Sequence, residues 1–187
     1  MTGQTEQTEQ TGRLIVLTGG PGSGKSTLID HLREQGYASS PEAGRGIIRE
    51  QVAIDGPALP WKDPALFAEL MLGWEMRSHR IASAGAAPVL FDRGVPDVVG
   101  YLRTQQLPVP GHLHTAAQRF RYHRRVFIAP PWPEIYGRDA ERKQSYDEAV
   151  RTYESMVETY TTYGYELVRL PLVPVAERAR FLVDALR

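Results

Sequence analysis

The sequence predicts an α/β domain, a mostly parallel sheet covered on both faces by helices. Short apolar runs alternate with stretches of helical periodicity along almost the whole chain. The first apolar run stops at a glycine-rich loop that opens directly into an amphipathic helix. No linker or internal repeat divides the chain beyond that point, so residues 13–187 read as one domain.

Taken in order, residues 14–18 (LIVLT) form a short run suited to a strand buried on both faces, closed by Gly19-Gly20. Residues 25–35 carry Leu28, Ile29 and Leu32 on one stripe and end at Gly36, a natural position for left-handed helix termination. Residues 37–40 read as a second strand ending in Pro41-Glu42, and residues 46–54 as a helix. Asp63-Pro64 supplies an N-cap and a proline at the first helical position. That helix extends to about Ser83, with Leu66, Phe67, Leu70, Met71 and Trp74 as its expected buried stripe. Residues 89–91 are the next buried strand, ending at Asp92, followed by helices near residues 96–105 and 113–122. Residues 126–129 form a fourth strand, after which Pro130, Pro131 and Pro133 argue against regular structure. Ser145 and Glu148 make a capping box for a helix reaching Gly164. Residues 166–170 are the fifth strand and residues 175–186 the last helix.

Composition narrows the partners. The 187 residues carry 22 cations and 22 acids, which argues against a strong field for nucleic acid or anionic membranes. With no cysteine, neither a disulfide framework nor a thiolate metal site is available. His31, His79, His112, His114 and His123 show no metal-ligating spacing. Residues 1–12, MTGQTEQTEQTG, lack an apolar anchor and are expected to be a disordered tail. They have neither the basic start nor the apolar stretch of a signal peptide, and no run approaches the roughly 18 apolar residues of a membrane span. A cytoplasmic location is expected, and the oligomeric state is not legible.

The segment from Gly19 to Ser26 reads GGPGSGKS and matches G-x-x-x-x-G-K-[ST]. Its glycines allow successive backbone N–H groups to turn inward around phosphate oxygens. The helix starting near Lys25 adds the positive end of its dipole at the same point. Gly20, Gly22, Ser23, Gly24, Lys25, Ser26 and Thr27 are therefore the expected nucleotide-binding residues. Lys25 reaches the β- and γ-phosphates, and the Ser26 hydroxyl is a ligand for Mg²⁺. An apolar strand ending in Asp92 offers the second Mg²⁺ ligand. The next residue is Arg93, a cation suited to stabilising phosphate charge, where a water-activating glutamate is usual in dedicated ATPases. None of the three lysines lies in an Asn-Lys-x-Asp element, so adenosine nucleotides are expected to be preferred over guanosine nucleotides.

With the loop, Asp92-Arg93-Gly94 and a later arginine-bearing segment, the chain resembles the nucleoside and nucleotide kinase superfamily. From Arg13 onward it is more closely similar to the bacterial "AAA domain" family of small ATPases or kinases, related to the ribosylnicotinamide kinase domain. The stretches that carry this are GGPGSGKST, Glu42-Ala43-Gly44-Arg45, Pro60-Trp61-Lys62-Asp63, and FDRG with Asp97 and Tyr101. The resemblance implies a P-loop fold with five parallel strands in the order 2-3-1-4-5 and a short lid. It does not imply a substrate.

Glu42 falls where the second strand ends, at the carboxyl edge of the sheet where such folds bind ligands. Related deoxynucleoside kinases place there a carboxylate that activates the acceptor hydroxyl, which leaves base and metal duties to be divided between Glu42 and Asp92. Glu42 equally suits a helix start, as does Asp97. In the superfamily the interval holding Arg138 and Arg142 is the lid, which brings arginines onto the transferring phosphoryl group. The lead expectation is an ATP- and Mg²⁺-dependent phosphotransferase with a small-molecule acceptor. Lys25, Asp92, Glu42, Arg93, Arg138 and Arg142 carry the chemistry, and Trp61 and Tyr101 are candidates for the acceptor pocket. Two other readings stand beside it: a non-catalytic ATP sensor, and a polynucleotide 5′-kinase using the basic cluster of residues 119–125.

Overall fold

The computed structural model describes residues 11–136 and 145–187. Most of the expected tail, residues 1–10, and both lid arginines, Arg138 and Arg142, lie outside the described residues. The strands are β1 (Leu14–Gly19), β2 (Ala38–Ser40), β3 (Val89–Asp92), β4 (Arg125–Ala129) and β5 (Glu166–Arg169). All pair in parallel, in the order β2-β3-β1-β4-β5. The helices are α1 (Lys25–Glu34), α2 (Ala43–Ala53), α3 (Pro64–Ser83), α4 (Val95–Thr104), α5 (Gly111–Arg119), α6 (Tyr146–Thr162) and α7 (Val175–Ala185).

Side chains alternate across a strand, so a strand buried on both faces must be apolar throughout. In β1, Leu14 and Val16 join the core beneath α3, α4 and α5, while Ile15 and Leu17 join the core beneath α1 and α7. Phe91 and Val126 extend the first layer, and Leu90 and Phe127 the second. In register, Leu17 faces Asp92 on β3 and Phe127 on β4, which brings the carboxyl ends of the three central strands to one edge.

Local signals account for most helix ends. Asp63 accepts a hydrogen bond from Leu66 N at 2.9 Å, and the Ser145–Glu148 capping box closes in both directions. Gly36 takes φ +94 directly after α1. Four expectations shift. Helix α2 starts at Ala43, three residues before the expected Gly46, despite two weak helix formers in its first turns. A Cβ on Gly46 would stand 2.8 Å from the Trp74 ring, so tertiary packing of α2 on α3 decides that start. Helix α5 stops at Arg119, short of the expected Tyr122, because the chain must turn to enter β4; His123 N donates to Leu14 O at 2.8 Å. A single 3₁₀ turn, Pro133–Ile135, forms where the prolines argue against regular structure, since proline at a first helical position costs nothing. The buried face of α3 is Phe67, Ala68, Met71, Leu72 and Glu75, while Leu66 and Leu70 stay 38% and 39% exposed. The helix is apolar on more than one side, so periodicity alone sets its phase about one residue off.

Gly19 ends β1 with φ +125, and a Cβ there would meet Ala129 O of β4 at 2.3 Å. Gly19→Ala is expected to destabilise the protein by about 2 kcal/mol or more, through strained torsion and a backbone clash. Urea unfolding measures this, and an unchanged midpoint would contradict the close approach of β1 and β4 at this point.

Candidate active site

The glycine-rich loop spans the turn from β1 into α1, at the carboxyl edge of the sheet. Gly24 is the N-cap of α1 and supplies no side-chain cap, so the helix presents its first amides to the loop. Lys25 is buried, with Nζ 2.7 Å from Gly20 O and 3.3 Å from both Gly19 O and Ser23 Oγ. Burial lowers its pKa to about 8, Arg93 adds to that, and Asp92, Glu42 and Asp97 oppose it. Ser23 Oγ in turn donates to Gly20 O at 2.8 Å.

Opposite the loop, Arg93 has φ 77, uncommon for a residue with a side chain. Its Nε donates to Glu42 Oε1 at 3.1 Å, and its Nη1 to Gly19 O at 3.1 Å and Asp97 Oδ1 at 3.3 Å. Burial opposes the charge on this guanidinium, but Glu42, Asp97 and Asp92 together raise its pKa above the ordinary arginine value. Burial likewise pushes the Glu42 carboxyl upward, yet Arg93, Lys25 and Arg45 outweigh it and hold Glu42 below the usual range. Asp97 also accepts from Thr18 Oγ1 and Tyr160 OH, each at 2.5 Å, and from Gly94 N at 2.9 Å. The reading of Asp97 as the start of a helix therefore holds, and it ties that start to β1 and α6 as well.

Asp92 is buried, and its Oδ1 has no hydrogen-bond partner. Burial raises its pKa, helped by Glu42 and Asp97 and opposed by Lys25 and Arg93. A buried, unpaired carboxylate oxygen beside the loop fits a hard cation better than it fits a folded protein without one. Ser26, at the start of α1, offers a hydroxyl on the same loop. Among the described residues no group of three or more His, Cys, Asp or Glu is placed to hold a metal, so Mg²⁺ here would need phosphate oxygens to complete its ligands.

On the far side of Glu42 lies an aromatic wall. A Cβ on Gly44 would sit 3.7 Å from Phe67 Cζ, 3.8 Å from Met71 Sδ and 4.0 Å from Glu42 Oε1. Phe67 packs edge-on against Tyr101, whose hydroxyl is buried without a partner and whose pKa burial raises to about 12. Trp61 is 56% exposed. On the other side of the loop a pocket of about 310 Å³ lies between Gly24 and Thr27, the Trp132 ring, Pro174 and Arg178.

A model of the AAA domain family matches residues 14–178. The chain belongs to that family. Among solved structures, a deoxyadenosine kinase from M. mycoides with the products dCMP and a flexible dCDP bound gives a TM-score of 0.64 at 16% identity, over 92% of this chain and 98% of that one. The same kinase with dATP gives 0.62 at 13% identity, with the same shares covered. The NadR protein in complex with NR gives 0.63 at 16% identity, over 96% of this chain but 51% of that one. At such identities the likeness is one of fold. No curated protein matches the chain.

In this AAA domain the structure brings Lys25, Glu42, Asp92 and Arg93 to one edge. Arg138 and Arg142 lie outside the described residues. Within the basic cluster of residues 119–125, Arg121 and Arg124 have partners in the chain, while Arg119 and Arg124 remain on the surface. Arg121 lies 4.0 Å from the Tyr165 ring centre and donates to Tyr163 O, and Arg124 pairs with Glu166 at 2.7 Å. Tyr122 is in the core and Phe120 packs against it. Among the described residues no helix is long and apolar enough to cross a membrane.

Sequence reasoning missed Glu75 and Arg178. Glu75 is 3% exposed on the inner face of α3, one turn beyond Met71. Burial raises its carboxyl well above the usual range, and Asp97 and Asp92 add to that. A lone acid in phase with an apolar stripe at Phe67 and Met71 was the available signal. Because the folded state holds this proton more tightly than the unfolded chain, stability falls as pH rises through the ordinary glutamate range toward the raised folded value. Glu75→Gln is expected to flatten that fall and to be the more stable form at pH 8, measured by urea unfolding between pH 5 and 8. Parallel pH profiles for the two proteins would show that Glu75 is ionised in the fold.

Proposed function

We propose that this protein is a cytoplasmic phosphotransferase that moves the γ-phosphate of Mg²⁺-bound ATP to a hydroxyl of a small nucleoside-like acceptor. The observation that carries the reading is the buried, unpaired Asp92 Oδ1, set between the phosphate-binding loop and an arginine-held Glu42. A site that only sensed nucleotide has no evident use for a second carboxylate fixed beside an aromatic wall. The kinase fold of the neighbouring structures supports the class of reaction, and two of them, a deoxyadenosine kinase and a complex with NR, support a nucleoside-like acceptor.

Each residue has a role in this reading. The loop amides from Gly20 to Thr27 and the Lys25 ammonium bind the triphosphate. Asp92 and Ser26 would hold Mg²⁺, which would neutralise charge on the β- and γ-phosphates. Glu42, held ionised, accepts a hydrogen bond from the acceptor hydroxyl and aims its oxygen at the γ-phosphorus. As that oxygen bonds to phosphorus, the bond from the γ-phosphorus to the bridging oxygen breaks, ADP leaves, and the hydroxyl proton passes to Glu42. Arg93 holds Glu42 in place through Nε and the loop through Gly19 O. Its Nε and Nη1 are committed there, and charge on the transferring phosphoryl group falls to Arg138 and Arg142 together with its Nη2. The Phe67, Met71 and Tyr101 wall takes the flat, apolar part of the acceptor.

The test is a screen of γ-labelled ATP against nucleosides and other small hydroxyl compounds. Labelled acceptor is the expected product, and tight ATP binding with no acceptor labelled would favour the sensor. With an acceptor in hand, Lys25→Ala is expected to abolish ATP binding or turnover. Glu42→Gln is expected to spare ATP binding and lower transfer by on the order of 10²-fold or more. Arg138→Ala and Arg142→Ala are each expected to lower kcat by a similar factor, with less effect on the KM for ATP. Normal transfer by both Glu42→Gln and the double arginine variant would refute the mechanism.

A further inference from the structure

Arg178, on α7, is 2% exposed, a degree of burial rare for an arginine. Its Nη1 donates to Ser23 O of the phosphate-binding loop at 3.0 Å. Its Nε and Nη2 are buried with no hydrogen-bond partner. Among the described residues no carboxylate pairs with it, and burial lowers its pKa. Its guanidinium carbon lies 5.5 Å from the centre of the Trp132 ring. The contrast with Arg93 is direct, since that guanidinium meets two carboxylates and a carbonyl.

The pattern of free atoms is specific. In a guanidinium, Nε–H and one N–H of Nη2 point the same way along one edge and form a two-donor fork. In Arg178 that whole edge is unsatisfied, while the remaining nitrogen is tied to the loop. A buried fork without a partner is costly unless a ligand supplies two adjacent acceptors. The residue is a wall of the pocket of about 310 Å³ that begins at Gly24 and Thr27, where a nucleotide held by the loop directs the rest of its length. Trp132 and Pro174 give that pocket flat, apolar surfaces suited to a nucleobase.

We infer that Arg178 reads the base of the donor nucleotide, and that its fork takes guanine O6 and N7, so that GTP serves as donor alongside ATP. Guanine presents two acceptors side by side on that edge. Adenine presents N7 beside an amino group, so it takes one donor of the fork and leaves the other unmatched. The missing Asn-Lys-x-Asp element removes one way of recognising guanine but not this one, so the preference for adenosine nucleotides expected from that absence gives way here. The Ser23 contact makes the same side chain a strut of the phosphate loop, so base recognition and phosphate binding meet at one guanidinium. The inference rests on the reading of the loop as a nucleoside triphosphate site.

The experiment measures affinities of GTP, ATP and inorganic tripolyphosphate with Mg²⁺, for the wild type, Arg178→Met and Arg178→Lys. Lysine keeps a cation near Ser23 O but has no fork. GTP is expected to bind the wild type at least as tightly as ATP. Both variants are expected to lose about tenfold or more in GTP affinity. ATP and tripolyphosphate affinities should fall together by about threefold or less, the cost of losing the Ser23 contact, so that the larger loss is confined to GTP. A wild type that binds ATP and tripolyphosphate but not GTP overturns the inference. So do variants that lose all three ligands equally, because Arg178 would then only brace the loop, and so does a lysine variant that keeps full GTP affinity. Failure of tripolyphosphate to bind the wild type would instead sink the phosphate-loop reading, and the inference with it.

Discussion

The guanidinium of Arg93 joins the carboxyl ends of three parallel strands. It reaches Glu42 just beyond β2, Gly19 O at the end of β1 and Asp97 in the first turn of α4, while itself coming directly after β3. Bringing a cation and two carboxylates into a buried edge costs several kcal/mol per ion before pairing. Every donor placed here is therefore needed, and losing one partner of such a group typically costs about 3–5 kcal/mol. The left-handed φ of Arg93 is part of the same arrangement. A strained backbone of about 1–3 kcal/mol persists where its surroundings over-determine it, and three directed hydrogen bonds do so here. Asp97 carries the constraint outward, through Thr18 to β1 and through Tyr160 to α6.

Legibility in the sequence tracks the range of the interaction. The phosphate loop is local: strand, glycines, lysine and helix sit within one short stretch of chain, and their chemistry depends on that spacing alone. The same is true of the caps at Asp63 and Ser145 and of the glycine after α1. The strand order came from family resemblance, and the structure agrees with it. Arg93 was legible as a candidate, but not its pairing with Glu42 and Asp97, because Glu42 is 51 positions away and the pairing depends on how β2 docks on β3. The face of α3 was misjudged because Leu66 and Leu70 satisfy a helical period as well as Phe67 and Met71 do. Only contact with α2 and α4 chooses between them.

Electrostatics give the two sides of the loop different characters. On the side of Glu42, four acids (Glu42, Glu75, Asp92 and Asp97) share a buried region with Arg93 and Lys25. Burial, with the neighbouring acids adding to it, moves Asp92 and Glu75 upward, while Arg93, Lys25 and Arg45 overcome burial and move Glu42 downward. Such a cluster is stable only if some of its members hold a proton or a cation. That makes the region responsive to what enters it, a bound cation above all. On the side of Arg178, no acid among the described residues stands against it, and the walls are aromatic and aliphatic.

The two arginines thus show why residue type alone does not assign a role. Arg93 stands out in the sequence because it comes directly after a strand-end aspartate, and its position gives its Nε and Nη1 carboxylate partners. Arg178 sits in the last helix of a sequence rich in arginine, where nothing marks it, and there the fold buries it and leaves one edge unpaired. A donor already satisfied within the protein gains little by turning to a ligand, since it must give up one bond to make another. A donor that is buried and unsatisfied loses nothing by doing so. On that basis the groups beside the loop that stay open are the Arg178 edge and Asp92 Oδ1, while Lys25 is held by the loop and Arg93 ties Glu42, Gly19 and Asp97 together.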